Sequence, residues 1–272
     1  MTTTDAWIGD RLPPALAAYY AALDTGMSRE ASESFADDVR YALPSADQIE
    51  TAPRSTHAGR DAVREHLEQR TPCAAHRILL CVAEGPGALV EGLTVELDSG
   101  EPNGSFAASV RLDGDQRISS YLAFRCTPAI SPMPGEASAA STSEFDAMAK
   151  IDEYFAALDD ARFDDAAACF SEDTVYSHPP YKDPRIGGPG RATFVGRAEL
   201  AAAFHRRGRQ SFDHEIVFSG QRGAHLMLEG VVHDAEGELL GRFISTATLD
   251  LEGLIRRYAS FYCEEPARGS GS

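Results

Sequence analysis

The stretch YFAALDDARFDDAAACFSEDTVYSHPP (154–180) lies over an earlier stretch of the same chain, YYAALDTGMSREASESFADDVRYALPS (19–45), without a gap. Tyr154 falls on Tyr19, Asp159 on Asp24, Phe170 on Phe35, Asp173 on Asp38 and Tyr176 on Tyr41. The match continues outward. TFVGRAELAAAF (193–204) lies over THAGRDAVREHL (56–67), and His214 over His76. LDLEGLIRRYASFYC (249–263) lies over LDGDQRISSYLAFRC (112–126), which pairs Tyr258 with Tyr121 and Cys263 with Cys126. Like residues in like order at like spacing mean one folding unit built twice. The units are expected over 8–127 and 144–265. The segment 128–143 between them is rich in Pro, Ser, Ala and Gly, a linker composition, and 266–272 reads as a flexible tail.

In the later unit Ser143, with Asp146 three residues on, reads as a helix-starting cap. Met148, Ile151, Phe155 and Leu158 follow at helical spacing, with Tyr154 beside the stripe. FDDAAACF is a second short helix, and TVYSH a strand ended by Pro179–Pro180. PPYKDPRIGGPGR is a loop, and RAELAAAFHRRG a third helix stopped by Gly208. HEIVFSG, HLMLEGVVHD, LLGRFISTATLD and LIRRYASFYC read as strands whose turns are marked by DAEGE and LEG. The layout is α+β: about three helices per unit on one face of a curved antiparallel sheet, which leaves a cone for a ligand.

Composition narrows the function. The chain has 272 residues, enough for two ordinary domains, and 43% apolar residues supply a core for each. A net charge of −17 without a Lys/Arg cluster argues against nucleic acid and against an anionic membrane surface. No window approaches a membrane span, and the first residues, MTTTDAWIGD, lack the pattern of a signal peptide. Five cysteines, at 73, 81, 126, 169 and 263, form no CxxC and are odd in number, which fits reduced thiols in a cytoplasm. The histidines show no HxH or HExxH spacing, so no metal is expected. GGPGR (187–191) lacks the ending of a phosphate loop and reads as a mobile lip, so no cofactor is expected either.

The order of ALDDARFDDAAACFSEDTVYSHP, FVGRAELAAAF and ATLDLEGLIRRYASFY resembles the SnoaL-like branch of the NTF2-like superfamily, once per half of the chain. The resemblance implies two tandem cones, packed as an intrachain pseudo-dimer. It also implies a family of isomerases, polyketide cyclases, epoxide hydrolases and plain binding proteins. Among these, ketosteroid isomerase offers the nearest mechanism: a helix tyrosine, a strand-end aspartate before a proline, and a late-strand aspartic acid. Those places fall on Tyr154, on His178 before Pro179, and on Ser245. The carry-over keeps the tyrosine, changes the base to histidine, and replaces the acid by serine, which makes steroid isomerisation doubtful. In the first half the same places are Tyr19, Leu43 and Ala108, so that half is expected to be a scaffold or an apolar pocket.

His178 and Tyr154 are therefore the candidate catalytic pair. A neutral imidazole takes a proton at physiological pH, and a phenol in a dry pocket stabilises an oxyanion. The plainer alternative for each stands beside it: a strand-end histidine bonded to backbone, and a core tyrosine with a satisfied hydroxyl. Tyr176, Asp213, His214, Glu229, Ser245 and Tyr258 are candidate substrate-binding residues. His76 matches His214 in the half without a base, which favours structure for that pair. The expected ligand is a small hydrophobic molecule, and the expected chemistry is isomerisation or polyketide-type cyclisation. Epoxide opening is second, because Asp173 and Glu199 would have to form its acid–base pair. A non-catalytic binding protein is the alternative from another class.

Overall fold

The computed structural model describes residues 12–43, 55–70, 74–127, 129–130, 146–181, 183–187 and 190–264. Ser143, Cys73, the tail 266–272 and all of the linker except Ala129 and Ile130 lie outside them. The described residues divide into two compact units, with the boundary after Ile130.

The first unit runs α1 (Pro14–Asp24), α2 (Ser28–Glu33), β1 (Phe35–Leu43), β2 (Ser55–Ala58), α3 (Arg60–Glu68), β3 (Ala74–Glu84), β4 (Gly87–Glu96), β5 (Pro102–Leu112) and β6 (Ile118–Cys126). The second runs α4 (Ala147–Asp159), α5 (Phe163–Ala168), β7 (Phe170–His178), α6 (Pro184–Gly187), β8 (Ala192–Val195), α7 (Arg197–Arg207), β9 (Phe212–Arg222), β10 (His225–Asp234), β11 (Leu239–Leu249) and β12 (Ile255–Glu264). Each unit forms a six-stranded sheet in the same order, β2-β1-β6-β5-β4-β3 and β8-β7-β12-β11-β10-β9. The duplication thus extends to strand order, and the class is α+β.

Four differences from the sequence expectation have local causes. The later unit's first helix is capped by Asp146 rather than Ser143; the Asp146 carboxylate accepts from the Met148 and Ala149 amides. β7 starts earlier than TVYSH, at Phe170. The loop after it contains the one-turn helix α6 and the four-residue strand β8, both too short to show a period. Finally, the sheets are mixed: β3 to β6 and β9 to β12 run antiparallel as expected, but β1 pairs β6, and β7 pairs β12, in parallel.

Each sheet buries one face against its helices. In the second unit that face carries Tyr176, Phe194, Leu228, Phe243 and Tyr258, packed on Ile151, Tyr154, Phe155 and Leu158 of α4 and on Leu200 and Phe204 of α7. The opposite face also carries buried side chains, among them Met227, Ile244, Ala259 and Phe261. The two sheets share matched register shifts, in β1–β6 and β7–β12, in β5–β6 and β11–β12, and in β3–β4 and β9–β10. The shift in β3–β4 falls beside Gly92, and that in β9–β10 falls at Gly230. An extra residue in one strand of a pair increases bend and twist, which curves the sheet around its helices.

Candidate functional site

Alternation along β7 puts Tyr176 and His178 on the helix-covered face. The register sets Tyr258 of β12 beside Tyr176, and Ser245 of β11 beside Ser260. Tyr154 reaches the same region from α4. Its hydroxyl lies 3.1 Å from that of Tyr176, and the Tyr258 hydroxyl donates to Ser245 Oγ at 2.9 Å. The rings form a column. Tyr176 stacks on Tyr258 at 5.1 Å, His178 lies parallel to Tyr176 at 6.2 Å, and Tyr181 stacks on His178 at 4.4 Å and 7°. Burial raises the pKa of all four phenols above the ordinary value, so each is a neutral O–H donor.

His178 is partly buried. Its Nδ1 is 2.7 Å from the Pro179 carbonyl, which makes Nδ1 the protonated nitrogen and leaves Nε2 a bare acceptor. No described residue bonds Nε2. Burial pushes its pKa down to about 3; the Pro179 carbonyl, the next largest influence, opposes this, and the charges of Arg207 and Arg191 add smaller downward pushes. The imidazole is neutral at every physiological pH.

Two residues of the column escaped the sequence reading. Tyr181 sits in the Pro-rich loop, where nothing in the pattern marks a ring that folds back onto His178. Arg207 ends α7, its guanidinium 5.3 Å from the Phe212 ring. Its charge favours negative oxygen at Tyr154, Tyr181 and Tyr258. A signal was present: extending the match of 193–204 over 56–67 by three residues sets Arg207 on Arg70.

Other candidates are placed elsewhere. His214 Nδ1 is 2.9 Å from Asp159, and the ring stacks on Phe155 at 4.6 Å. His76 makes the same bond to Asp24 in the first unit, at 2.5 Å. The repeated pair ties the end of each unit's first helix, α1 or α4, to the edge strand β3 or β9, a structural task in both halves. Asp213 alternates away from His214 and is exposed. Glu229 is buried, but its neighbours Leu228 and Gly230 face the helices, so Glu229 faces the other way. Asp173 is held by Arg256 at 3.0 Å and by Ser171 at 3.1 Å, and Glu199 accepts from the Val195 amide at 2.9 Å. Both are surface contacts, so the carboxylate pair needed for epoxide opening is not assembled at the column. Among the described residues no three His, Cys, Asp or Glu side chains converge as metal ligands. Cys81, Cys126, Cys169 and Cys263 form no disulfides with one another. Gly188 and Pro189 of the expected lip lie outside the described residues.

The two units satisfy the matched tyrosine differently. In the first, Ala108 offers no hydroxyl, and the Tyr121 hydroxyl pairs with that of Tyr20 at 3.1 Å. In the second, Phe155 stands at the Tyr20 position, and Ser245 serves Tyr258. Ser245 is thus the partner of a buried phenol rather than a group held free for a ligand. Ser245→Ala should cost about 1–3 kcal/mol by orphaning that hydroxyl. Adding Phe155→Tyr should recover part of the loss, which urea denaturation of the single and double variants measures.

These contacts make the second unit a sheet–helix cone with phenols at its base and an imidazole at a strand end. Residues 146–262 match the SnoaL-like domain family. No curated protein matches the chain in sequence. Solved structures similar to it include a candidate polyketide cyclase from Sinorhizobium meliloti (21% identity, 43% of this chain and 99% of that one, TM-score 0.34). Another is a protein with a cystatin-like fold from Methylobium petroleophilum (20% identity, 46% and 81%, TM-score 0.35). A third, from Catenulispora acidiphila, has a ketosteroid isomerase-like fold (17% identity, 42% and 87%, TM-score 0.34). Each covers less than half of this chain, about the length of one SnoaL-like unit.

Proposed function

We propose that the second unit catalyses proton transfer at a carbon next to a carbonyl in a small, largely apolar molecule, as an isomerase or a cyclase of polyketide-type substrates. The observation that carries this reading is His178: a neutral imidazole whose Nδ1 proton is fixed on Pro179, with Nε2 bare. Nε2 takes the proton, the C–H electron pair becomes the C=C bond of an enolate, and the charge moves to oxygen. Tyr154, Tyr176 and Tyr181 carry three O–H groups and share two hydroxyl contacts, so one proton of the three remains for that oxygen. Arg207 adds a favourable field.

The electrostatics also restrict the substrate. A base pushed down to about 3 is weak, so it needs an acidified C–H, as in a β-dicarbonyl or a β,γ-unsaturated ketone. It also cannot keep its proton, because burial and two arginines oppose the imidazolium. Rapid return of the proton to another carbon, or to the same one, is the chemistry such a base suits. The test is washout of the α-hydrogen of a panel of activated cyclic ketones in D2O, followed by NMR. Saturable exchange, with no change in rate from His178 titration between pH 5 and 8, is the expected result. Saturable binding without exchange across the panel would leave a binding protein instead.

A further inference from the structure

The first unit lacks a base at Leu43, yet it is not bare of polar chemistry. Tyr19 and Tyr41 repeat the phenol pair, hydroxyls 2.9 Å apart. Beside Tyr41 lie two imidazoles for which the second unit has no counterpart: His57 stands where Phe194 does, and His66 where Ala203 does. The His57 and His66 rings are in contact, centroids 4.2 Å apart, and Tyr41 lies 5.9 Å from His66 and 6.2 Å from His57. His66 Nε2 is buried and has no hydrogen-bond partner among the described residues. Arg70, one turn beyond His66, bears on the Tyr41 hydroxyl by charge and by hydrogen bond.

A buried nitrogen without a partner costs stability, and two imidazoles in ring contact next to a guanidinium resist protonation. Among the described residues, the charges that bear on His66 are those of His57 and Arg70. Each phenol and each neutral imidazole here has one O–H or N–H to donate, and Arg70 is a cation, set among flat aromatic faces. What is missing is an acceptor that carries negative charge on an apolar body.

We propose that the first unit holds its own binding site for a small aromatic or alicyclic carboxylate, received by His66 and Arg70 beside the Tyr19–Tyr41 pair. The carboxylate gives the orphan nitrogen a partner and neutralises the guanidinium, and its ring lies against His57. The two halves then bind differently: the second a neutral carbonyl compound over a bare base, the first an anion over cations and donors. This site does not depend on the catalytic reading of His178.

The experiment uses the full chain and benzoate as the probe, with benzamide as its uncharged analogue. Benzoate titration should move the imidazole nitrogen resonances of His66 saturably, and benzamide should bind at least tenfold more weakly. Arg70→Gln, an exposed change that spares the fold, should weaken benzoate about tenfold or more. His66→Gln should weaken it likewise. No saturable shift at millimolar benzoate, equal binding of benzamide, or unchanged affinity in Arg70→Gln would overturn the site.

Discussion

His178→Gln is expected to lower the α-hydrogen exchange rate by about 10²–10⁴-fold and to leave the second unit folded. Glutamine keeps a polar N–H that can reach the Pro179 carbonyl, and it fills similar space between Tyr176 and Tyr181, but it offers no basic lone pair. The same variant has a second signature, in stability. Burial holds the folded imidazole at about 3, whereas the unfolded chain takes up that proton near 6.5. Between those values the unfolded state binds more protons. The neutral-histidine fold is therefore fully stable above about 6.5 and loses stability as pH falls toward 3, at a limiting slope of about 1.4 kcal/mol per pH unit. The glutamine variant lacks this slope, so its stability relative to the parent should rise from pH 7 to pH 4. Leu43→Ala, at the matched position of the first unit, should lower stability and leave exchange unchanged. A His178→Gln protein that exchanges at the parent rate would remove the base from the mechanism, whatever its stability curve shows.

The repeat made most of this architecture legible. Gapless pairing of Tyr154 with Tyr19 and of Tyr176 with Tyr41 marked two equal units before any coordinates, and Gly208 marked the end of α7 by the φ of +67° that it adopts. What the pattern could not carry was the partner of each polar atom. Whether the Tyr154 hydroxyl is open or bonded depends on Tyr176 across the fold, and it is bonded. Ser245 was placed on the correct face, but its task is decided by Phe155, which lacks the hydroxyl that Tyr20 supplies in the first unit. The face of Glu229 was not legible because β10 is buried on both faces and shows no alternation of residue type, whereas β9 alternates and puts Asp213 on its exposed side. The expectation of a scaffold or an apolar pocket in the first half rested on a narrow comparison. It compared three positions, and His57 and His66 arrive from β2 and α3, outside that comparison.

Gly230→Ala is expected to destabilise the second unit by about 1–3 kcal/mol, a loss of several degrees in melting temperature for a unit of this size. A Cβ built on Gly230 would stand 2.5 Å from Phe243 Cε1 and 2.8 Å from the Glu215 carbonyl oxygen, with the tip of the ring nearer still. The ring crosses the glycine because the two residues are paired in β10–β11, and a residue without a side chain lets the aromatic lie over the backbone. Phe243 cannot swing aside cheaply. Its ring is set edge-on against Phe155 and His214, at 5.9 and 5.8 Å, and the backbone oxygen is fixed by the neighbouring strand. Gly92 meets Phe106 and the Arg77 carbonyl in the same way, so Gly92→Ala should give the same loss in the first unit. Gly114→Ala is the control: a Cβ there meets nothing within 4 Å, and its φ is outside the left-handed range, so the change should be neutral or slightly stabilising. The glycine sits at a register shift that bends the sheet, so the cost also measures how firmly the curvature is held. If calorimetry finds Gly230→Ala as stable as Gly114→Ala, the ring over the glycine does not fix the bend, and the cone's shape must be set by the helices instead.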